Sequence, residues 1–307
     1  MKRKVIQLAG KTHVLSLPCK WVRQYGVKKG DELNLIEHKS SLIINLDKAP
    51  DYGRIEVDVS GKNPMIKRIL GALYKSGYCE VEVRFSTLLE LKQVKEVIRE
   101  EFIGFEVVDQ GKNYLVFKKV SNLESTDYEV MMRRMMRIII QTSEHIIEAV
   151  VNKDYDWLTS IVLIDKDVNK IADFCRRILN TVGNKNYKRT GPGYFIVEQL
   201  EKISDMYRDI SSYLSEHKIK GELLSSQVIG LFKQTNKFFK MFYELYFNFD
   251  LDSFVLFGKQ RYLLQKRFEQ ILGESKFGKN DLKVIMYLNF VVESTFDLNG
   301  PILGIKM

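Results

Sequence analysis

Residues 187–214 read YKRTGPGYFIVEQLEKISDMYRDISSYL, and their period decides the architecture of the larger part of the chain. At about 100° per residue, Glu198, Glu201, Asp205 and Asp209 fall on one stripe of a helix. Leu200, Ile203, Tyr207, Ile210 and Leu214 fall on the opposite face, which predicts an amphipathic helix with its apolar side buried. Outward from this stretch the same period recurs from residue 126 to the end, with short breaks. It predicts helices over Asp127–Asn152, Asp156–Asn180, Gly193–His217, Leu223–Asn248, Asp252–Gly273 and Asp281–Asn299. Asp154, Gly191-Pro192-Gly193, Gly221, Asp250, and Gly278 with Asn280 separate them.

These helices carry an internal echo. VNKDYDWLTSIVLIDKDVNKIADFCRRIL (151–179) and FNFDLDSFVLFGKQRYLLQKRFEQIL (247–272) match at Asp154/Asp250, Asp156/Asp252 and the closing Ile-Leu, as two three-helix units would. Asp165, Asn169 and Asp173 share a face in the first copy, and Glu293 and Asp297 repeat the i, i+4 acidic spacing near the end. Like charges at that spacing repel by a few tenths of a kcal/mol. Lysines could compensate them, as could a divalent or trivalent metal ion bridging carboxylates of adjacent helices. The bland alternative is that such a stripe is simply the wet side of a helix. The aromatic run from Phe232 to Phe247 has helical spacing and reads as core, with a partner-docking face as the alternative.

Upstream, residues 49–124 alternate. Strands are expected at Arg54–Ser60, Cys79–Phe85, Phe105–Asp109 and Tyr114–Lys119, with helices from Pro64 to Tyr74 and over Leu88–Phe102. The β-α-β-α-β-β order suggests a small α/β sandwich of ferredoxin-like flavour. The first fifty residues read β-β-short α-β-β: Lys4–Leu8, Thr12–Leu17, a helix from Cys19 to Tyr25 opened by Pro18 and stopped by Gly26, Glu32–Glu37, and Leu42–Leu46. So short a segment buries too little apolar surface to stand alone, which predicts pairing with a second copy.

Charge separates this head from the rest. The first 50 residues hold ten Lys or Arg against four Asp or Glu, which is six of the chain's net +9, whereas residues 51–125 hold twelve of each sign. That is the footprint of a polyanion-binding head on a near-neutral body. No apolar run approaches the roughly 18–20 residues of a membrane span, so no membrane insertion is expected. The N-terminal MKRK leads into alternation rather than a signal-peptide core. Cys19, Cys79 and Cys175 are far apart with no C-x-x-C, which points to a reduced, cytoplasmic setting. The four histidines are isolated, and no G-x-S-x-G, P-loop or G-x-G-x-x-G occurs. No catalytic residue is therefore assigned, and the chain is not expected to be an enzyme.

Two resemblances extend this reading. RKVIQLAGKTHVLSLP, CKWVRQYGV and KKGDELNLIEHKSSLIIN (3–45), with the run LP-x-x-W…G-x-x-x-GD, resemble the AbrB/MazE/SpoVT swapped-hairpin DNA-binding domain. The resemblance implies a small barrel interleaved from two chains, with Arg3, Lys4, Lys11, Lys20 and Arg23 contacting DNA phosphates or bases. Residues 126–307 resemble the PhoU family, most clearly in LIDKDVNKIADFCRRIL (163–179), the opening stretch, and NFVVESTFDLNGPILG (289–304). That family builds tandem three-helix bundles, regulates phosphate uptake and binds metal clusters through E/D-x-x-x-D motifs. By position Glu201 and Asp205 match one motif and Glu293 and Asp297 the other, with Asp165 and Asp173 as supporting ligands. Asn169 stands where an acid is common, and Lys259, Gln260 and Arg261 lie near the second copy's counterpart of Asp165.

The expected architecture is thus multidomain α+β. It comprises a dimeric swapped-hairpin β-barrel over 1–48, a small α/β sandwich over 49–124 and all-α tandem three-helix bundles over 125–307. The expected function is a homodimeric DNA-binding transcriptional regulator of phosphate uptake. The alternative is a non-DNA-binding adaptor that docks on and inhibits a phosphate-transporter ATPase, for which the basic head would be superfluous. An antitoxin-type regulator fits least, because the segment after the head is a long ordered body rather than a short disordered tail.

Overall fold

The computed structural model describes residues 2–38, 41–45, 53–121, 125–181, 189–217, 223–274 and 277–307. The chain is mixed α and β, mostly helical, and divides into two units, Met1–Pro50 and Asp51–Met307. The expected boundary at 48/49 and the break at Gly221 lie outside the described residues.

In the first unit, β1 (Val5–Leu8) and β2 (Thr12–Leu15) form an antiparallel hairpin. Ala9 and Gly10 both have positive φ (49° and 73°), as the two central positions of a type I′ turn require. The Lys11 N–H closes that turn on the Leu8 carbonyl at 3.3 Å. Helix α1 (Cys19–Gln24) follows, with Pro18 as its extended N-cap rather than its first helical residue, and Gly26 left-handed just past its end. A second hairpin pairs β3 (Asn34–His38) with β4 (Ser41–Asn45). Among the described residues of one chain these are two separate two-stranded sheets and no closed barrel. None of the described side chains of this unit is buried, and Val5, Ile6, Leu8, Leu15, Leu35 and Leu42 are each at least half exposed.

The second unit opens with β5 (Arg54–Asp58), α2 (Ile66–Ser76), β6 (Glu80–Arg84), α3 (Leu88–Glu101), β7 (Phe105–Gln110) and β8 (Tyr114–Lys119). The element order is the expected one, but the pairing is not ferredoxin-like. The sheet runs β5-β6-β8-β7, with β5 and β6 parallel and the other neighbours antiparallel. A ferredoxin-like path is β-α-β-β-α-β, whereas here both helices are spent before the closing hairpin. Alternation puts Ile55, Val57, Val81, Val83, Leu115 and Phe117 on one face, against Leu70, Tyr74, Val94 and Ile98 of α2 and α3. The other face carries charge: Arg54 pairs with Glu80 and Glu82, Arg84 with Glu56 and Glu82, and Lys118 with Glu80. Glu82 is therefore only 8% exposed although it lies on the open side.

The helical body comprises α4 (Ser125–Asn152), α5 (Tyr155–Thr181), α6 (Thr190–Glu216), α7 (Ser226–Phe247), α8 (Leu251–Glu274), α9 (Lys279–Phe296) and the short α10 (Asn299–Lys306). Helices α4, α5 and α6 pack on one another, as do α7, α8 and α9, and the two sets meet through α6 with α9 and α4 with α7. The expected breakers Asp154 and Asp250 turn out to be caps. Each carboxylate accepts the backbone N–H three residues on, from Trp157 and Ser253, at 2.8 Å in both cases. Helix α6 begins at Thr190, so Gly191-Pro192-Gly193 lies in its first turn, where proline's missing N–H costs no bond. A Cβ on Gly193 would lie 3.2 Å from the Tyr128 hydroxyl and 3.5 Å from Leu179, which is why this turn takes glycine. Stacked rings fill the body's core: Tyr207 on Phe232 at 5.8 Å and Phe238 on Phe257 at 4.5 Å. Each such fully buried ring contributes roughly 1.5–3 kcal/mol.

The far sides of α2 and α3 rest on α5, so the second unit is layered as sheet, helix pair and bundle. Arg177 of α5, 1% exposed, drives its guanidinium into the C-terminus of α2. It donates to the carbonyls of Tyr74 and of Gly77 (3.2 Å) and stacks over Phe105 at 4.7 Å. Asn180 donates to the Lys75 carbonyl at 3.0 Å. The Tyr74 carbonyl also accepts the Gly77 N–H at 3.1 Å, and the arginine and asparagine add donors where a helix end is short of them.

Candidate functional site

The basic residues expected to meet DNA all lie in the first unit. Arg3 and Lys4 lead into β1, Lys11 closes the β1–β2 turn, and Lys20 and Arg23 sit three apart on one side of α1. All five are exposed, and none has a carboxylate partner among the described residues. The hairpin separates Lys4 from Lys11 by roughly 15 Å of strand. One chain thus spreads its charges over several phosphate spacings rather than gathering them at a point. The hairpin turn is stiffened by the Gln7 amide, which donates to the Gly10 carbonyl at 2.9 Å. The Asp31 carboxylate accepts the Lys28 N–H at 2.7 Å.

The acidic face of α5 and α6 is built differently from a row of free carboxylates. Arg176 of α5, 2% exposed, meets Asp173 at 2.7 Å, Glu198 at 2.6 Å and Glu201 directly. Asp173 is shared with Lys75 of α2 at 3.2 Å. One turn-pair further along, Arg208 of α6 holds Asp205, Asp165 (3.0 Å) and Asp209 (2.8 Å). Asp165, 5% exposed, also accepts from the Ser204 hydroxyl at 2.8 Å and the Asn169 amide at 3.1 Å. An acid at 169 would set a second carboxylate beside it, so the amide there follows from the geometry. In the second copy, Arg261 of α8 meets Glu293 of α9 at 2.9 Å and Gln265 donates to the same carboxylate at 2.9 Å. Asp297 is exposed at the C-cap of α9 with its backbone N–H on the Glu293 carbonyl at 2.8 Å.

Electrostatics follow from burial. Desolvation raises the carboxyls of Glu201 and Asp205 above their ordinary range, against the opposing pull of Arg176 and Arg208. Burial also works against charge on both guanidiniums, and the surrounding acids more than offset it, so both stay protonated. Among the described residues, no group of three His, Cys, Asp or Glu side chains is placed to hold a metal ion. The structure therefore brings Asp165 together with Asp205, and Asp173 with Glu201, each time around an arginine. As built, each of these sets of carboxylates surrounds a guanidinium.

The arginines are the site residues that the period of the acids does not reveal. Asp173–Arg176 and Asp205–Arg208 are i, i+3 pairs, and that spacing is the sequence signal that marks them. No protein-family model, curated protein or solved structure matches the chain. Among the described residues, no helix is long and apolar enough to cross a membrane.

Proposed function

We propose that the chain is a homodimeric DNA-binding transcriptional regulator of phosphate uptake. The observation that carries the DNA reading is the head: ten Lys or Arg against four Asp or Glu in fifty residues, with Arg3, Lys4, Lys11, Lys20 and Arg23 exposed and without carboxylate partners among the described residues. Such charges release counterions on binding a polyanion, and arginine can in addition read guanine edges. The dimer reading is supported by the half-exposed leucines, valine and isoleucine of both hairpins, which need a cover that one chain does not supply. A two-fold pair of heads would present two equivalent reading surfaces to a pseudo-palindromic operator.

The phosphate-uptake part rests on the PhoU resemblance of residues 126–307. Two mutually packed helix triplets with equivalent aspartate caps at 154 and 250 agree with a tandem three-helix body. In this reading the body receives the signal, from phosphate status or a transporter component. The transporter-adaptor reading retains one supporting feature, the exposed apolar stripe Leu282, Met286 and Phe290 along α9.

Fluorescence anisotropy of a duplex from the chain's own upstream region tests the proposal, alongside sedimentation of the protein alone. A dimer that prefers this duplex over a scrambled one supports the regulator. A monomer with no preference at any salt concentration contradicts it and leaves the adaptor.

A further inference from the structure

The acids of α5 and α6 expected to hold a metal cluster are already paired with cations, and those cations come from the chain itself. Arg176 faces three carboxylates, Asp173, Glu198 and Glu201; Arg208 faces three more, Asp165, Asp205 and Asp209. Such a one-to-three environment is what a hard cation would otherwise require of oxygen ligands. The guanidinium is the better occupant here for two reasons. Its planar fork reaches several carboxylates at once, and it is more weakly hydrated than an ammonium, so it tolerates burial. The neighbouring positions are adjusted to the same end. Asn169 donates to Asp165 rather than adding a further negative charge, and Ser204 fills another lone pair of that carboxylate. Asp173 is further committed to Lys75, so the α2 side of this face is closed by the sheet-bearing layer.

We infer that Arg176 and Arg208 are the built-in cations of the α5–α6 acidic face, which holds its charge without a metal ion and serves as the seat of the α/β layer. The inference concerns only the body and stands or falls apart from the DNA reading. It makes the folded body indifferent to chelators and to added metal. It also makes that indifference a property of the arginines: with a guanidinium removed, the three carboxylates around it regain the composition of an oxygen-ligand site.

The test uses the full chain and measures metal content by elemental analysis and thermal stability with EDTA or with about 1 mM Mn²⁺, Mg²⁺ or Zn²⁺. The wild type should carry well under one metal ion per chain, with a melting temperature that neither addition shifts. Arg208→Met, whose site is partly open to solvent, should melt lower and regain several degrees on adding metal. Arg208→Lys, which keeps the charge, should stay indifferent. A stoichiometric metal in the wild type, or a melting temperature lowered by EDTA, overturns the inference. So does a folded Arg208→Met chain that ignores every metal offered. Should Arg208→Met fail to fold, the wild-type metal content and EDTA melt decide alone.

Discussion

Glu90 shows how much one side chain can organise when the chain folds around it. Its carboxylate accepts N–H bonds from Gly61 (2.7 Å), Ser86 (2.8 Å) and Thr87 (2.9 Å), while Thr87 caps the Glu90 N–H in return. The capping box is legible in the spacing of Thr87 and Glu90, but the bond to Gly61, across from the β5–α2 loop, is not. These donors, the Gly61 N–H foremost, hold the Glu90 carboxyl down to about 2, from an ordinary 4.5. A carboxyl depressed in the folded state stabilises it above the unfolded value, and that stabilisation is lost as pH falls toward the folded one. Glu90→Gln should therefore lower the melting temperature at neutral pH, and the gap from wild type should close between about pH 4.5 and pH 2. Thermal melts across that range check it; a gap independent of pH would assign Glu90 a packing role instead. Arg177 is the other residue whose work is invisible in sequence, because the second of two adjacent arginines near a helix end reads as surface charge. Arg177→Met would leave the Tyr74 carbonyl only the Gly77 N–H (3.1 Å) and the Gly77 carbonyl only the weak Cys79 thiol, and should cost on the order of 2 kcal/mol. Denaturant titration measures the loss, and amide exchange should show it concentrated in α2. A change below about 1 kcal/mol would mean water takes over the capping.

Individual elements were the most legible part of the sequence. Strands and helices came through with ends shifted by up to three residues, because alternation and the 3.6 period were both strong and the punctuating residues do what their chemistry dictates. Asp154 and Asp250 illustrate this: read as breaks, they are caps, since an aspartate that stops one helix can accept the first N–H bonds of the next. Asp154→Ala and Asp250→Ala should each lower the melting temperature by a few degrees, and by similar amounts. A large loss at one and none at the other would contradict the equivalence of α5 and α8. What the elements did not reveal was their pairing. The parallel β5–β6 contact, the seating of α2 and α3 on α5, and the short α10 after Asn299 depend on which faces meet, and a one-chain periodicity carries no such information. The acidic stripe was legible only in part: spacing located the carboxylates, whereas their arginine partners come partly from a neighbouring helix.

At the scale of the whole molecule, charge and burial divide the chain in the same place. The first fifty residues hold the surplus positive charge and, in their described side chains, nothing buried; the remainder is near neutral and holds both apolar cores. A unit with exposed strands and, among the described residues, exposed cations without carboxylate partners is suited to binding partners, one apolar and one anionic, and the proposal names them as a second copy and DNA. The most direct measurement of that claim is the salt dependence of binding to the upstream duplex, for the wild type and for Lys4→Ala with Arg23→Ala. Each phosphate contact contributes roughly 0.9 to the slope of log affinity against log salt. The account predicts a steep slope for the wild type and one shallower by roughly 2 per chain for the double variant, whose body melts unchanged. Equal slopes in the two proteins would mean that these residues do not meet the phosphates, and would contradict the head as the DNA-binding element.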